Sequence, residues 1–239
     1  MASRPAKVSS KQPLEHTVDF LKQLEKHNSF EWFKENRDYY EATFLIPAQQ
    51  LVLSLGDELR KFSPHLHALP KIDKSIFRLH RDIRFSKNKQ PFKTHLGILL
   101  WEGDYPKMEC SGYYFHLEKG QTFLATGAYQ FSKQFLQQYR KVVSDPKKAA
   151  ELLKLLSSLA KKGYTAGGKS LKKAPRGVAA EDMNEALLYT AIYVYIEFKP
   201  IPQELFENPE RFCTKHFKAM FPLHRWLQEN VYAAEAKRH

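Results

Sequence analysis

Between Phe77 and Tyr129 the apolar residues of this chain fall, in successive short runs, at every second position, whereas before and after that stretch they recur at intervals of three and four. A two-residue repeat marks strands with one buried face, and a three-to-four repeat marks helices. Helices followed by a block of strands and then by helices again do not make the alternating pattern of a parallel βαβ fold. The order predicts an α+β fold: an antiparallel, possibly mixed, sheet of about five strands with an N-terminal helical region and further helices packed on it.

The helical signals come first. Thr17 is a candidate N-cap for a helix carrying Phe20, Leu21 and Leu24, and Asn28 with Glu31 three residues on has the form of a capping box opening a helix through Trp32, Phe33, Tyr39 and Tyr40. Pro47 suits the first turn of a helix bearing Leu51, Val52, Leu55 and Leu59. In the middle, Phe77, Leu79, Ile83 and Phe85 alternate with Arg78, His80, Asp82 and Arg84, which predicts a strand. Residues 96–101, 111–118 and 122–129 predict three more, the last two joined by a Lys119-Gly120 hairpin turn. Phe131, Phe135 and Tyr139 return to helical spacing, and Asp145-Pro146 opens a helix with Leu152, Leu155, Leu156 and Leu159. The glycines and prolines of residues 161–177 predict a mobile or surface-wrapping loop. Residues 189–198 set Thr190, Ile192, Val194, Ile196 and Phe198 against Tyr189, Tyr193 and Tyr195, a central strand whose tyrosines are read as one wall of the core. Asn208-Pro209 caps a last helix with Phe212, Phe217 and Met220, which Pro222 is expected to break before Trp226.

With 239 residues, 43% of them apolar and 27% charged, the chain has the composition of a folded domain and enough length for a full core. One domain over residues 14–239 is expected, preceded by a flexible tail over residues 1–13. Cys110 and Cys213 are too few for a disulfide framework, the first residues lack an apolar stretch of signal-peptide length, and the apolar run at 187–198 is too short to span a bilayer. A cytoplasmic protein without a membrane partner is expected. The net charge of +12 is local: residues 71–95 hold eight Lys or Arg against Asp73 and Asp82, residues 161–176 hold six and no acid, and the remainder balances at 24 of each sign.

The first basic stretch is the candidate site. On a strand, Arg78, His80, Asp82 and Arg84 share a face with alternate residues roughly 6–7 Å apart, so that two guanidinium groups could converge on one anion. Arg81 falls among apolar neighbours and needs a carboxylate or a ligand as partner. Ser86, Lys87, Lys89, Lys93, Thr94 and His95 then add hydroxyl, ammonium and imidazole groups, all suited to phosphate. Asp82 would orient an arginine or act as a base, with His80 or His95 moving protons. The partner implied is an anionic, phosphorylated small molecule or nucleotide. Two rival readings stand: a nucleic-acid-binding module whose two basic patches track a backbone, and an interaction protein whose arginines form an ion network with acids such as Glu31 and Glu35. The lysines of 161–176 belong to a solvated loop or, alternatively, to a lid. No helix-borne His pair and no Cys pair has ligand spacing, so no metal site is expected; His80, His95 and His116 would serve only if the sheet gathered them. The sequence does not identify a cofactor.

The run Arg78-x-x-Arg81-Asp82-x-Arg84-Phe85-Ser86-Lys87-x-Lys89-x-Pro91-x-Lys93-Thr94 resembles the hallmark of the domain-of-unknown-function family numbered 2461. Phe20-Leu21 through Asn28, Trp32-Phe33 and Asn36 is similar to that family's opening, Gly112-Tyr113-Tyr114 to its mid-sheet strand, and Leu171 with Pro175-x-Gly177 to a later loop. Asn88 and Phe92 stand where the family often has Asp and Tyr, His27 replaces the first of an Asn pair, and residues 178–184 lack an expected His-Pro. The resemblance, running from about residue 17 to near Trp226, implies a shared fold and site and supplies no reaction.

Overall fold

The structure, a computed structural model, describes residues 12–173, 175 and 184–233. The expected tail up to residue 11 and the loop at 174 and 176–183 lie outside the described residues. Six strands form one antiparallel sheet: β1 (Leu66–His67), β2 (His95–Glu102), β3 (Ser111–Glu118), β4 (Gln121–Ala128), β5 (Thr165–Lys169) and β6 (Tyr189–Phe198), in the order β1-β2-β3-β4-β6-β5. The β3–β4 hairpin turns at Lys119-Gly120 as its sequence predicts, with Gly120 at φ +82°, a conformation that glycine adopts without Cβ strain.

Helices α1 (Pro13–Lys26), α2 (Phe30–Glu35), α3 (Arg37–Tyr40) and α4 (Ile46–Arg60) make the N-terminal region, with a π-turn at Glu41–Leu45 leading into α4. Helices α5 (Lys133–Val143) and α6 (Pro146–Ala160) lie between β4 and β5, α7 (Gln203–Glu207) and α8 (Pro209–Leu227) follow β6, and α4 and α8 lie against the sheet. Alternation decides which face they cover. Leu96, Ile98 and Leu100 of β2, Tyr113, Phe115 and Leu117 of β3, Leu124 of β4 and Ile192 and Val194 of β6 are sealed beneath helices, each large side chain contributing roughly 1.5–3 kcal/mol. Polar groups on this side satisfy one another: the Tyr113 and Ser63 hydroxyls pair at 2.6 Å, and Tyr139 Oη donates to the Ala186 carbonyl at 2.8 Å. No helix among the described residues is long and apolar enough to cross a membrane.

Several local expectations change. Thr17 lies inside α1, where its hydroxyl donates to the Thr43 carbonyl at 2.6 Å, and the helix starts at Pro13 with Glu15 accepting from the Gln12 N–H at 2.7 Å. Ser29, rather than Asn28, caps α2 by accepting from the Trp32 N–H at 3.2 Å. Pro222 does not end α8: the hydrogen bond it forfeits is offset by the burial of Met220, Leu223, Trp226 and Leu227 around it. The loop expected at 161–177 contains β5, whose main chain pairs with β6 around a bulge at Gly167 and Lys169. A Cβ at Gly168 would stand 2.1 Å from the Ala191 carbonyl oxygen, so glycines that read as a loop signal are what let this edge strand approach its neighbour.

The largest correction concerns residues 77–85, which form no regular strand. Ile76 bridges Ile98 and His80 bridges Phe92, while Arg81 N–H donates to the Pro91 carbonyl and Lys93 N–H to the Leu79 carbonyl, both at 2.8 Å. The segment is an open hairpin whose limbs pair through their main chains only near its base. Leu79 is buried as the alternation predicts, but Phe85 at the tip is 95% exposed. Among the described residues no strand pairs with the tip, so Phe85 has no sheet neighbour on which to close.

Candidate functional site

The uncovered face of the sheet carries His95, Gly97 and Leu99 from β2, Gly112, Tyr114 and His116 from β3, Phe123, Ala125 and Gly127 from β4, and Tyr193, Tyr195 and Glu197 from β6. Strand register places small residues opposite large ones: Gly97 pairs with His116, Ala125 with Tyr195, and Gly127 with Tyr193. The small positions form a hollow and the aromatic ones its walls. A Cβ at Gly97 would sit 2.9 Å from Tyr114 Oη and 3.2 Å from the Phe77 ring, so even alanine would crowd the walls. The resulting cavity has a volume of about 580 Å³, and Tyr129, Met108 and Cys110 complete its lining. Tyr193 and Tyr195 therefore wall a solvent-accessible hollow rather than the core; only Tyr189 is buried.

One end of the cavity is cationic. Lys107, from the β2–β3 connection, lies 4.6 Å from the centre of the Phe77 ring and donates to the main-chain carbonyls of Asp73 and Lys74 at 2.9 and 2.5 Å. Lys93, at the root of the hairpin, lies 5.9 Å from the same ring. Neither ammonium has a carboxylate within ion-pair distance among the described residues. Burial holds both pKa values below the usual lysine value, with Arg78 adding to the effect at Lys93.

Beside Lys93, the His95 and His116 rings stack at 4.5 Å, and His116 also stacks on Phe123 at 4.5 Å. Burial pushes both imidazoles down to about 4, so both are neutral near pH 7; for His95 the neighbouring His116 and Lys93 push the same way. Tyr114 Oη lies 3.2 Å from His116 Nδ1, and burial raises that phenol to about 12. Glu118 Oε2 stands 3.7 Å from His116 Nε2. One ligand atom from each of His95, His116 and Glu118 falls within 4.8 Å of the others. No metal site was expected from sequence; the sheet gathers His95 and His116 while leaving His80 apart.

The predicted site residues thus divide. Lys93 and His95 line the cavity, whereas Thr94, pointing the other way along the chain, lines a smaller hollow of about 270 Å³ with Glu25, Glu118 and Lys119. The rest occupy the hairpin. Arg78 is exposed with its Nε 4.0 Å from Asp73, and His80 stacks against Phe30 and Phe92 outside the cavity lining. Arg81 meets no carboxylate, donating instead to the Gln90 carbonyl at 3.2 Å and to Ser86 Oγ at 3.4 Å. Arg84 is bound bidentately by Asp82, with Nη2–Oδ2 at 2.6 Å and Nε–Oδ1 at 3.0 Å, and this pairing lowers the Asp82 pKa. Lys89 donates to the Ile83 carbonyl at 3.1 Å, and Lys87 is exposed. The hairpin is fastened by Asn28, whose side-chain amide exchanges two hydrogen bonds of 3.0 Å with the backbone of Phe92. An asparagine that reads as a helix cap is therefore the clasp between the helical region and the basic segment.

Lys107, Phe123 and Glu118 were not singled out by the sequence. Lys107 lies in an irregular connection with no pattern to mark it. Glu118 had a signal, since it sits two residues from His116 and a strand puts both on one face. A second constellation lies under the sheet, where Ser111 Oγ is 2.8 Å from His224 Nδ1 and His224 Nε2 is 2.8 Å from Glu102 Oε2. The residue types are those of a hydrolytic triad, but Ser111 and His224 are sealed in the core and line neither cavity, so no substrate carbonyl could reach the hydroxyl. Its work is to fasten α8 to β2 and β3.

No curated protein and no solved structure matches the chain. A family model described as conserved hypothetical protein (DUF2461) matches residues 16–226, the span over which the sequence resemblance runs. The chain belongs to that family.

Proposed function

We propose that the open face of the sheet binds an anionic small molecule with a flat ring, such as a nucleotide or another aromatic phosphate. The observation that carries the reading is the pair of partly buried ammonium groups, Lys93 and Lys107, at one end of an aromatic-walled cavity. A desolvated cation without a carboxylate is relieved by an incoming anion, which pairs with it where water screens little. Tyr114, Phe123, Tyr193 and Tyr195 line the cavity and supply aromatic rings on which a flat group can stack. Arg78 stands close enough to Lys93 to influence its protonation. A neutral His95 in the wall is in the right state to accept a proton from a bound ligand.

Thermal-shift and calorimetric titrations with inorganic phosphate, nucleosides and nucleotides, in chelator-treated buffer, test this. Nucleotides should raise the melting temperature, by roughly 2.7 kcal/mol of stabilisation at a hundred times Kd, and nucleosides or phosphate alone should do much less. Lys93→Met together with Lys107→Met should abolish the shift. The reading fails if no anionic aromatic ligand stabilises the protein at millimolar concentration.

One observation favours a second reading. The basic hairpin flanks the β2 edge of the sheet and the lysines at 161, 162, 172 and 173 flank β5 at the other edge, so a single-stranded nucleic acid could cross the aromatic face between them. Salt separates the two, because backbone binding weakens linearly in the logarithm of salt with a slope near the number of phosphates contacted, while one anion in a hollow gives a slope of about one or two.

A further inference from the structure

We propose that His95, His116 and Glu118 form a binding site for a divalent transition-metal ion of the zinc and ferrous class, at the end of the open sheet face beside Lys93. The inference does not depend on the anion reading.

Strand register makes the juxtaposition. His95 on β2 is the direct partner of Glu118 on β3, and His116 is two residues before Glu118 on the same face. Three side chains that are neither sequential nor on a helix are thereby brought within 4.8 Å of one another. In a tetrahedral site with bonds of about 2.0–2.1 Å, ligand atoms stand roughly 3.3 Å apart. The His116 Nε2–Glu118 Oε2 separation of 3.7 Å is already near that value. His95 is only partly buried, which leaves its ring free to close the remaining gap by a small rotation.

The surrounding groups are those a metal-binding imidazole needs. In the tautomer with its proton on Nδ1, which Tyr114 Oη at 3.2 Å is placed to accept, His116 would turn the lone pair of Nε2 toward Glu118. Stacking on Phe123 holds the ring in that plane. Gln121 donates a hydrogen bond to Glu118 and fixes the carboxylate. Lys119 is drawn away to Glu25 at 3.0 Å and does not compete for Glu118. Two imidazoles and one carboxylate are borderline ligands, suited to zinc, iron, cobalt or copper rather than to calcium or magnesium. Three protein ligands leave coordination positions open, and His95 and His116 also line the cavity. The nearby Lys93 ammonium opposes a bare cation and favours one that also carries an anion.

The probe is Co²⁺, read by its visible d–d absorption, with Zn²⁺ measured by calorimetry, on full-length protein stripped by chelator and exchanged into phosphate-free buffer. One equivalent should bind, and Co²⁺ should show the intense bands of a four- or five-coordinate site that Zn²⁺ then displaces. His95→Gln and Glu118→Gln, both at partly exposed positions and checked for an unchanged melting temperature, should each weaken binding by at least roughly tenfold, as should Tyr114→Phe through its hold on His116. Exposed His65→Gln should change nothing. The proposal is overturned if the parent protein binds no metal at 100-micromolar order, on the order of the weakest site worth the name, or if His95→Gln and Glu118→Gln leave stoichiometry and spectrum as they were. Because this assay contains no ligand anion and the nucleotide titration contains chelator, either idea can fail while the other stands.

Discussion

The two faces of one sheet are built from the same strands, residue by residue in alternation, and they differ in what their polar groups have left to do. Beneath the helices, the hydroxyl of Tyr113 is spent on Ser63, and His224 is spent on both Ser111 and Glu102. On the open face, Lys93 and Lys107 have no carboxylate within ion-pair distance among the described residues, and His95, His116 and Glu118 gather within 4.8 Å of one another. Buried polar groups that satisfy each other stabilise a fold; partly buried ones that do not are a reservoir for a ligand. The Ser-His-Glu arrangement and the cavity teach this together, since the arrangement with the more familiar chemistry is the one no substrate can reach.

Four measurements would break or sharpen that contrast. The largest difference is expected between two phenylalanines on neighbouring strands: Phe115→Ala, under the helices, should cost about 3–5 kcal/mol, whereas Phe123→Ala, on the open face, should cost nearer 1 kcal/mol. Equal losses in chemical denaturation would mean that the open face is packed against something in the native state. Next, His224→Ala should destabilise by about 2–3 kcal/mol, because Ser111 and Glu102 are left without their partner in a closed space. Retention of full stability would show the clasp to be dispensable.

The third effect depends on pH. His216, buried under the sheet with Nδ1 3.0 Å from Tyr164 Oη, has its pKa lowered by burial and then by Lys215. Below about 6.5 the unfolded chain therefore takes up a proton that the folded chain refuses. Its contribution to stability is complete above that pH and is lost as pH falls through the depressed folded value. The melting temperature should decline on acidification, and His216→Gln should flatten the decline; identical pH profiles would refute the assignment. The smallest effect is expected at the hairpin tip, where Arg84→Ala removes an ion pair that is open to water and should leave the melting temperature unchanged. It should also leave nucleotide stabilisation intact. Loss of that stabilisation would move the binding site from the sheet face to the hairpin.

Much of the fold was legible in the residues. Alternation located β2, β3, β4 and β6, the Lys119-Gly120 turn located their hairpin, and Pro47, Asp145-Pro146 and Asn208-Pro209 located helix starts. The misreadings share a cause. Residues 77–85 alternate like a strand, but a strand needs a neighbour along its length, and the main chain finds one only at Ile76 and His80. Residues 165–169 look like a loop because of their glycines, but β6 supplies an edge and the glycines permit the approach. Tyr193 and Tyr195 were assigned to a core wall because periodicity states that a strand has two faces without stating which one the helices cover.

The sequence by itself determined the α+β class, the positions of most elements, the family and the two concentrations of positive charge, because these follow from local periodicity, turn chemistry and counting. Tertiary structure decided which cations are left unpaired, which histidines meet, and where the hollow opens. Those are relations between residues distant along the chain, set by strand register and by the choice of covered face. A one-residue slip between β2 and β3 would put His95 and Glu118 on opposite sides of the sheet without changing a single letter of the sequence.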